Sequence, residues 1–139
     1  MDWRDNMSIG IPEQDKEMKA VFDKINEIMR YLGMSKQIGH TEDYVEELKD
    51  FFRQHFESQE RMMMVHNYKN LFQHKYEHER FLKEIDKLAE ALYVDEFSNG
   101  SAGLKTGIFQ LLVKHICIYD KPFGIEYQQM KKKKVLDKQ

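Results

Sequence analysis

Four long stretches of this 139-residue chain carry apolar residues at alternating steps of three and four, which places them on one face of an α-helix. The spacing predicts helix A over about 12–32, helix B over 41–65, helix C over 70–93 and helix D over 101–120. With two prolines and seven glycines, the chain has few of the turn residues that a many-stranded sheet requires. The sequence therefore predicts an all-α protein.

Proline and glycine positions fix several of the predicted helix ends. Pro12 suits the first turn of helix A, because its missing N–H has no partner there, and Gly33 favours the end of that helix. Pro122 disfavours helical geometry at Lys121, so helix D is predicted to end near Asp120. Four amphipathic helices with short connections are typical of an up-down-up-down antiparallel four-helix bundle, here with an N-terminal arm and a basic C-terminal tail.

The net charge of -2 is unevenly distributed along the chain. Residues 121–139 contain six lysines against two acidic residues, a net of +4, so residues 1–120 carry -6. An acidic body lacks the basic face that nucleic acid requires, and nucleic-acid binding is not expected. We divide the chain into a bundle over 1–120 and a basic tail over 121–139. The tail lysines are expected to be solvated, and a protein partner for them stays open.

The composition limits the expected cellular location of the protein and the kinds of site and reaction it can have. The mean hydropathy is -0.74, and no window of 18 residues is apolar and uncharged, so no membrane span is expected. A single cysteine, Cys117, excludes an internal disulfide and a Cys-based zinc cluster, and we expect a cytoplasmic protein with this thiol buried. No nucleophile elbow or phosphate-binding glycine loop is present, so acyl and phosphoryl transfer are not expected.

Four histidines fall on the apolar stripes of three different predicted helices: His55, His74, His78 and His115. Burying one polar ring without a partner costs about 1–3 kcal/mol, and four would use up much of a domain's net stability of about 5–15 kcal/mol. His74 and His78 are four residues apart, about 40° around a helix, so both rings can reach one ion. A shared metal would satisfy all four rings at once.

Two further polar residues are candidates for the same interior site as the four histidines. Gln59 follows His55 by four residues and faces the same side of helix B. Asp120 follows His115 by five residues, about 140° around an ideal helix, which is unfavourable for a shared site. We expect the chain to unwind near Pro122 and so turn the Asp120 carboxylate inward. Nitrogen and oxygen ligands of this kind suit iron, zinc or manganese.

The chain resembles the hemerythrin family, more closely its bacterial single-domain branch, over about residues 3–120. The matching elements are Trp3 with Gly10-Ile11, Phe22, Ile25-Asn26, His55-Phe56, His74-x3-His78 with Phe81, His115-Ile116 and Asp120. The resemblance implies a pair of non-haem irons inside the bundle, held by five histidines and two bridging carboxylates, with an oxo or hydroxo bridge when both irons are present. It also implies dioxygen or another small diatomic molecule as the ligand.

The resemblance assigns roles to five positions. His74, His78 and His115 match the three imidazoles of the iron that carries no dioxygen. Asp120 matches one bridging carboxylate, and His55 matches one imidazole of the iron that binds dioxygen.

Two positions depart from the family pattern, and both fall in the half of the site that binds dioxygen. Met18 stands where the helix A histidine is expected, and Gln59 stands where the second bridging carboxylate is expected. Glu60 is one residue further, about 100° around helix B, and is expected to face away. A thioether suits iron poorly, and an amide removes a charge that offsets repulsion between two cations. We therefore predict one metal in the half formed by three histidines and Asp120, or an asymmetric pair.

Three functions follow from this reading. The first is dioxygen binding, storage or sensing by a hemerythrin-like non-haem iron protein, with sensing favoured over reversible carriage because of the altered positions. The second is a mononuclear non-haem iron enzyme that acts on dioxygen, peroxide or nitric oxide. The third is a structural bundle with a degenerate metal site. An enzyme is the weaker expectation, because nothing in the chain indicates an organic substrate.

The remaining conspicuous residues are expected to be structural or solvated. Within Met62-Met63-Met64 we expect Met62 in the core, since neighbouring helix positions point in different directions. His40 and His66 lie at predicted helix boundaries and are expected to be solvated. Trp3 and Phe56 are expected to pack over the end of the bundle or over the site.

Overall fold

Four long helices form an antiparallel bundle, as predicted. The computed structural model describes residues 1–34, 41–94 and 100–137. The helices are α1 (Pro12–Met34), α2 (Thr41–Val65), α3 (Leu71–Val94), α4 (Gly100–His115) and α5 (Lys121–Asp137). A short 3-10 helix, Asp5–Met7, lies in the N-terminal arm, and a π turn, Ile116–Asp120, joins α4 to α5. No strand occurs in these described ranges.

The first four helices close into a ring around one apolar core. α1 packs on α2, α2 on α3, α3 on α4, and α4 returns to α1. Fully buried side chains from all four helices fill the centre, among them Phe22, Phe52, Ile85, Ile108 and Leu112. Their spacing follows the apolar stripes of the sequence, because each stripe must be removed from water by its neighbours. None of the described helices is both long enough and apolar enough to cross a membrane.

The chain continues as a helix past Pro122, and the prediction that helix D ends near Asp120 is wrong in this respect. The amide of Lys121 bonds to the carbonyl of Ile116, five residues back, in the wider π arrangement. Proline breaks a helix by removing one bond and crowding the turn before it, and the π turn coincides with that point. The chain does not unwind there, because α5 begins at once and is held by packing.

α5 is anchored at its base and exposed at its tip. Phe123 and Tyr127 are buried, with the Phe123 ring 4.9 Å from that of Tyr68. The Lys121 ammonium donates to the carbonyl of Asn6 at 2.6 Å, which ties the base to the N-terminal arm. Residues 131–137 are exposed, so the run of four lysines is solvated, as predicted. The basic tail is thus a helix whose first two turns dock on the body.

Gly124 is the tightest point of this docking. A Cβ built there would lie 1.7 Å from the carbonyl oxygen of Ile9, a backbone atom that cannot move aside independently. We expect Gly124→Ala to lower the free energy of unfolding by about 1–3 kcal/mol, the usual range for overpacking, as measured by urea denaturation.

Gly103 provides a matched control. It lies inside α4, and a Cβ there would meet nothing within 4 Å. Gly103→Ala should raise stability by about 0.5–1 kcal/mol, because alanine is the better helix former. Equal effects of the two substitutions would contradict the close contact between α5 and the arm.

Candidate metal centre

One cluster of four buried side chains lies at the end of the bundle from which α5 leaves. His74 and His78 come from α3, His115 is the last residue of α4, and Asp120 ends the π turn. Each is no more than 4% exposed, and one ligand atom from each lies within 4.8 Å of the other three. Three imidazoles and a carboxylate at this spacing could hold a single metal ion.

The π turn explains how Asp120 reaches this cluster. In an ordinary α-helix, residues five apart point in clearly different directions. In the π turn the hydrogen bonds close five residues back, so positions five apart lie more nearly above one another. The Asp120 Oδ1 atom lies 3.2 Å from His115 Nε2. The Asp120 carboxylate therefore faces the interior, as predicted. The wider π turn places it there, and the chain does not unwind.

Asp120 is surrounded by ring nitrogens. Its Oδ1 atom lies 3.0 Å from His74 Nε2 in a hydrogen bond, whereas His115 Nε2, although close, has no aligned hydrogen-bond partner in the described part of the chain. Burial alone would raise the pKa of Asp120, but His115 and His74 together outweigh it and hold that pKa well below its usual range. The Asp120 carboxylate is therefore ionised in the interior, where it could bind a cation.

His78 is oriented by two residues of α2. Its Nδ1 atom lies 2.8 Å from Glu60 Oε2, and its Nε2 atom lies 3.1 Å from Gln59 Oε1. Phe56 stacks on the ring, with centroids 3.9 Å apart and planes 7° apart. Burial lowers the pKa of His78 to about 4, against the opposing effect of Glu60. The ring is thus held in place and kept uncharged, as a metal ligand must be.

The prediction that Glu60 faces away is wrong. α2 has no bulge at this point, yet the long Glu60 side chain reaches round to the outer nitrogen of His78. Phe56 has the structural role expected of it, because it covers the site against His78.

His55 lies outside the group of four. It is 4% exposed, and its Nδ1 atom lies 3.2 Å from Glu17 Oε1. Ser58 donates to the other oxygen of that carboxylate at 3.0 Å. Burial raises the pKa of Glu17, but the hydrogen bonds from His55 and Ser58 outweigh it and lower that pKa overall. Glu17 is not among the predicted site residues; it precedes Met18 on α1, and its signal in the sequence is an acidic residue that borders the apolar stripe.

The two positions that differ from the family pattern, Met18 and Gln59, are both buried. Met18 is 4% exposed within the apolar core, and Gln59 is 1% exposed with its oxygen toward His78. Met18 and Gln59 offer a thioether and a neutral amide, so neither position supplies a carboxylate. The imidazole nitrogens and carboxylate oxygen of the group of four suit iron, whereas a thioether and a neutral amide suit it poorly.

Several predictions about other residues need correction. Cys117 is exposed, not buried, because it lies on the side of the π turn that is turned away from the bundle. Met63 is fully buried and Met62 only half-buried, since Met63 follows Gln59 by one further turn along the inward face of α2. His66 is half-buried, with its ring 4.9 Å from that of Tyr127. His40 lies outside the described residues.

Two clefts approach the cluster from solvent, one on each side of Tyr119. A cavity of about 250 Å³ borders His74, and a smaller one of about 100 Å³ borders His115. The half-buried Tyr119 ring lies 5.3 Å from the ring of His115 and 6.1 Å from that of His74. Small molecules therefore have short routes to the outer side of these histidines.

Two curated relatives are similar to the chain, and both are named bacteriohemerythrin. The protein from Clostridium acetobutylicum is 30% identical over 87 residues, which cover 60% of this chain and 67% of the relative. The protein from Stenotrophomonas maltophilia is 27% identical over 117 residues, which cover 82% of this chain and 72% of the relative. Neither a family model nor a solved structure matches. The four-helix bundle, its buried cluster of histidines and aspartate, and these relatives together show that the chain belongs to the hemerythrin family.

Proposed function

We propose that this protein holds one non-haem iron through His74, His78, His115 and Asp120, and that it binds or senses dioxygen or another small diatomic molecule. The observation that carries the proposal is the meeting of four ligand atoms within 4.8 Å in a buried interior. Three imidazoles and one carboxylate give a donor set of nitrogen and oxygen, which iron accepts well. Membership of the hemerythrin family favours iron over zinc or manganese.

The surrounding residues prepare the site for a cation. Glu60 accepts from the outer nitrogen of His78 and thereby directs the other nitrogen to the interior. Phe56 excludes water from one side of the same ring. Bound iron would supply an open position for a small ligand and a change of oxidation state.

A second iron is held weakly or not at all in this proposal. Two cations about 3.5–4 Å apart need bridging anions, and Asp120 is the one carboxylate in the cluster of four. A site with one iron, or an asymmetric pair, is a poor reversible dioxygen carrier. We therefore favour sensing or metal holding over carriage.

A second candidate function is a mononuclear iron enzyme that acts on dioxygen, peroxide or nitric oxide. The cleft of about 250 Å³ beside His74 favours it, because a reactant could approach the metal ligands from there. Consumption of peroxide or nitric oxide by the iron-loaded protein, absent from the His74→Ala variant, would support the enzyme over the binding protein.

The proposed function is tested by loading the full chain with ferrous iron without air. We expect about one iron per chain by elemental analysis, and a visible absorption change when air is admitted. A stable two irons per chain would contradict the asymmetric site. Failure to gain either iron or thermal stability would support a structural bundle instead.

A further inference from the structure

Tyr119 lies between two of the metal-ligand candidates and solvent. It is half-buried, whereas His74 and His115 are 2% and 4% exposed. The rings of His74 and His115 are 5.3 Å apart, and the Tyr119 ring lies 6.1 Å from the first and 5.3 Å from the second. The three rings therefore form a triangle in which Tyr119 is the outermost, and its ring covers the gap between the two imidazoles.

The two clefts that approach the cluster meet at this side chain. The cavity of about 250 Å³ borders His74, and the one of about 100 Å³ borders His115. Among the residues that the structure describes, Tyr119 alone lines both cavities. Movement of its ring would join the two clefts into one opening above the gap between His74 and His115.

Phenylalanine side chains close other sides of the cluster. Phe56 stacks on His78 at 3.9 Å, and its ring lies 5.7 Å from that of His115. Phe81 also lies 5.7 Å from the His115 ring. Both phenylalanines are buried, and the displacement of a buried side chain leaves a cavity in a close-packed core. The half-buried Tyr119 ring moves aside more readily, so its side of the cluster offers the easier route.

A contact with α3 holds the Tyr119 hydroxyl in place. Burial raises the pKa of Tyr119, and the charge of Glu77 and a hydrogen bond to it raise that pKa further. The phenol keeps its proton at neutral pH and donates it to the Glu77 carboxylate. Arg80 Nη1 lies 3.4 Å from the same carboxylate, which steadies it. A hydrogen bond to a charged group favours the closed position of the ring by about ten- to a hundredfold.

We propose that Tyr119 is the gate of the metal site. Its ring controls how fast metal ions and small ligands enter and leave, and its bond to Glu77 keeps the route closed for most of the time. The inference rests on the proposed function, since it requires a metal at the cluster. A ring that only covers the route changes entry and release by the same factor and leaves Kd unchanged, whereas a ligand or a structural support changes Kd.

The test measures zinc exchange in the full chain, because Zn²⁺ binds imidazole and carboxylate ligands and has no redox chemistry. Entry is followed by stopped-flow with a coloured zinc indicator, release by transfer of zinc to excess chelator, and Kd by equilibrium titration. In Tyr119→Ala we expect both rate constants to rise about tenfold, the effect of losing the bond to Glu77, with Kd unchanged.

Two variants accompany this measurement. Tyr119→Phe keeps the packing of the ring and loses the bond to Glu77, so both rate constants should rise by a smaller factor. Tyr76→Ala removes an exposed tyrosine of α3 and is the matched control, which should leave both rate constants unchanged.

A second readout requires no metal. Diethyl pyrocarbonate acylates imidazole nitrogens, and peptide mapping of the metal-free chain by mass spectrometry reports each histidine separately. Tyr119→Ala should speed the acylation of His74 and His115 about tenfold, as the closed ring no longer protects them. His55, which contacts Glu17 on α1, should react at an unchanged rate.

The outcomes separate the gate from the site that it serves. If the unaltered chain binds no zinc, the proposed function fails, and the gate fails with it. If zinc binds but Tyr119→Ala changes neither the rate constants nor the acylation, the gate alone is overturned. A weaker affinity at an unchanged entry rate would make Tyr119 a structural support of the cluster and would also overturn the gate.

Discussion

Replacing Met18 with histidine and Gln59 with glutamate in the same chain is expected to raise bound iron from about one to two per chain. The histidine would add a nitrogen ligand from α1, and the glutamate would add a second carboxylate between the cations. Repulsion between two close cations is large in a poorly solvated interior. The restored negative charge should therefore strengthen binding of the second iron more than the added nitrogen ligand does. Both positions are already buried, and Gln59 Oε1 lies 3.1 Å from His78 Nε2, so no change of fold is needed.

Elemental analysis after anaerobic loading measures this effect. Each single variant should remain below two irons per chain, since each restores only one of the missing groups. The matched control carries the same two replacements at exposed positions, Met64→His and Gln110→Glu, and should stay at one iron. If the double variant at Met18 and Gln59 also binds one iron per chain, the side chains at these positions do not limit the number of irons bound.

Removing one ligand from the cluster is expected to weaken iron binding strongly. His74→Ala takes away an imidazole whose Nε2 atom lies 3.0 Å from Asp120, and we expect at least a hundredfold loss of affinity. At iron one hundred times above its Kd, the unaltered protein gains about 2.7 kcal/mol from binding, and a hundredfold loss of affinity leaves the variant a gain of about 0.4 kcal/mol or less. Thermal unfolding with and without ferrous iron measures it.

Two further variants separate loss of metal from loss of structure. Asp120→Asn keeps the shape of the side chain but removes its charge, and should lose the iron-induced rise in Tm without leaving a cavity. His66→Ala removes a half-buried histidine that packs on Tyr127, outside the cluster, and should retain the rise. Equal iron-induced stabilisation in His74→Ala and the unaltered chain would show that the cluster is not the binding site.

The helices were predictable because burial of one face imposes a spacing that is visible in sequence. α2 has the predicted bounds, and α1 runs two residues beyond its predicted end to Met34. The extension passes through Gly33, which tolerates a helix end but does not require one. Local spacing was sufficient here, since each helix contacts its neighbours along a continuous apolar stripe.

The candidate site was predictable only in part. The structure brings His74, His78, His115 and Asp120 together because the three histidines lie on stripes that must face inward and the π turn directs Asp120 to them. Glu60 was misjudged because an ideal helical wheel ignores the length of the side chain.

Tertiary contacts decided what the sequence did not reveal. Glu17 was missed because its partner, His55, is 38 residues away in sequence. α5 was missed because its docking depends on Gly124 meeting the carbonyl of Ile9, a contact between distant segments with no local signal.

The π turn has a mechanical consequence for the lysines at the end of the chain. Asp120 is followed directly by Lys121, the first residue of α5, with no loop to absorb a displacement. α5 has 17 residues and is therefore about 25 Å long at 1.5 Å per residue. Because its first two turns are docked on the body, α5 holds the exposed Lys131 to Lys134 in a fixed direction relative to the buried aspartate.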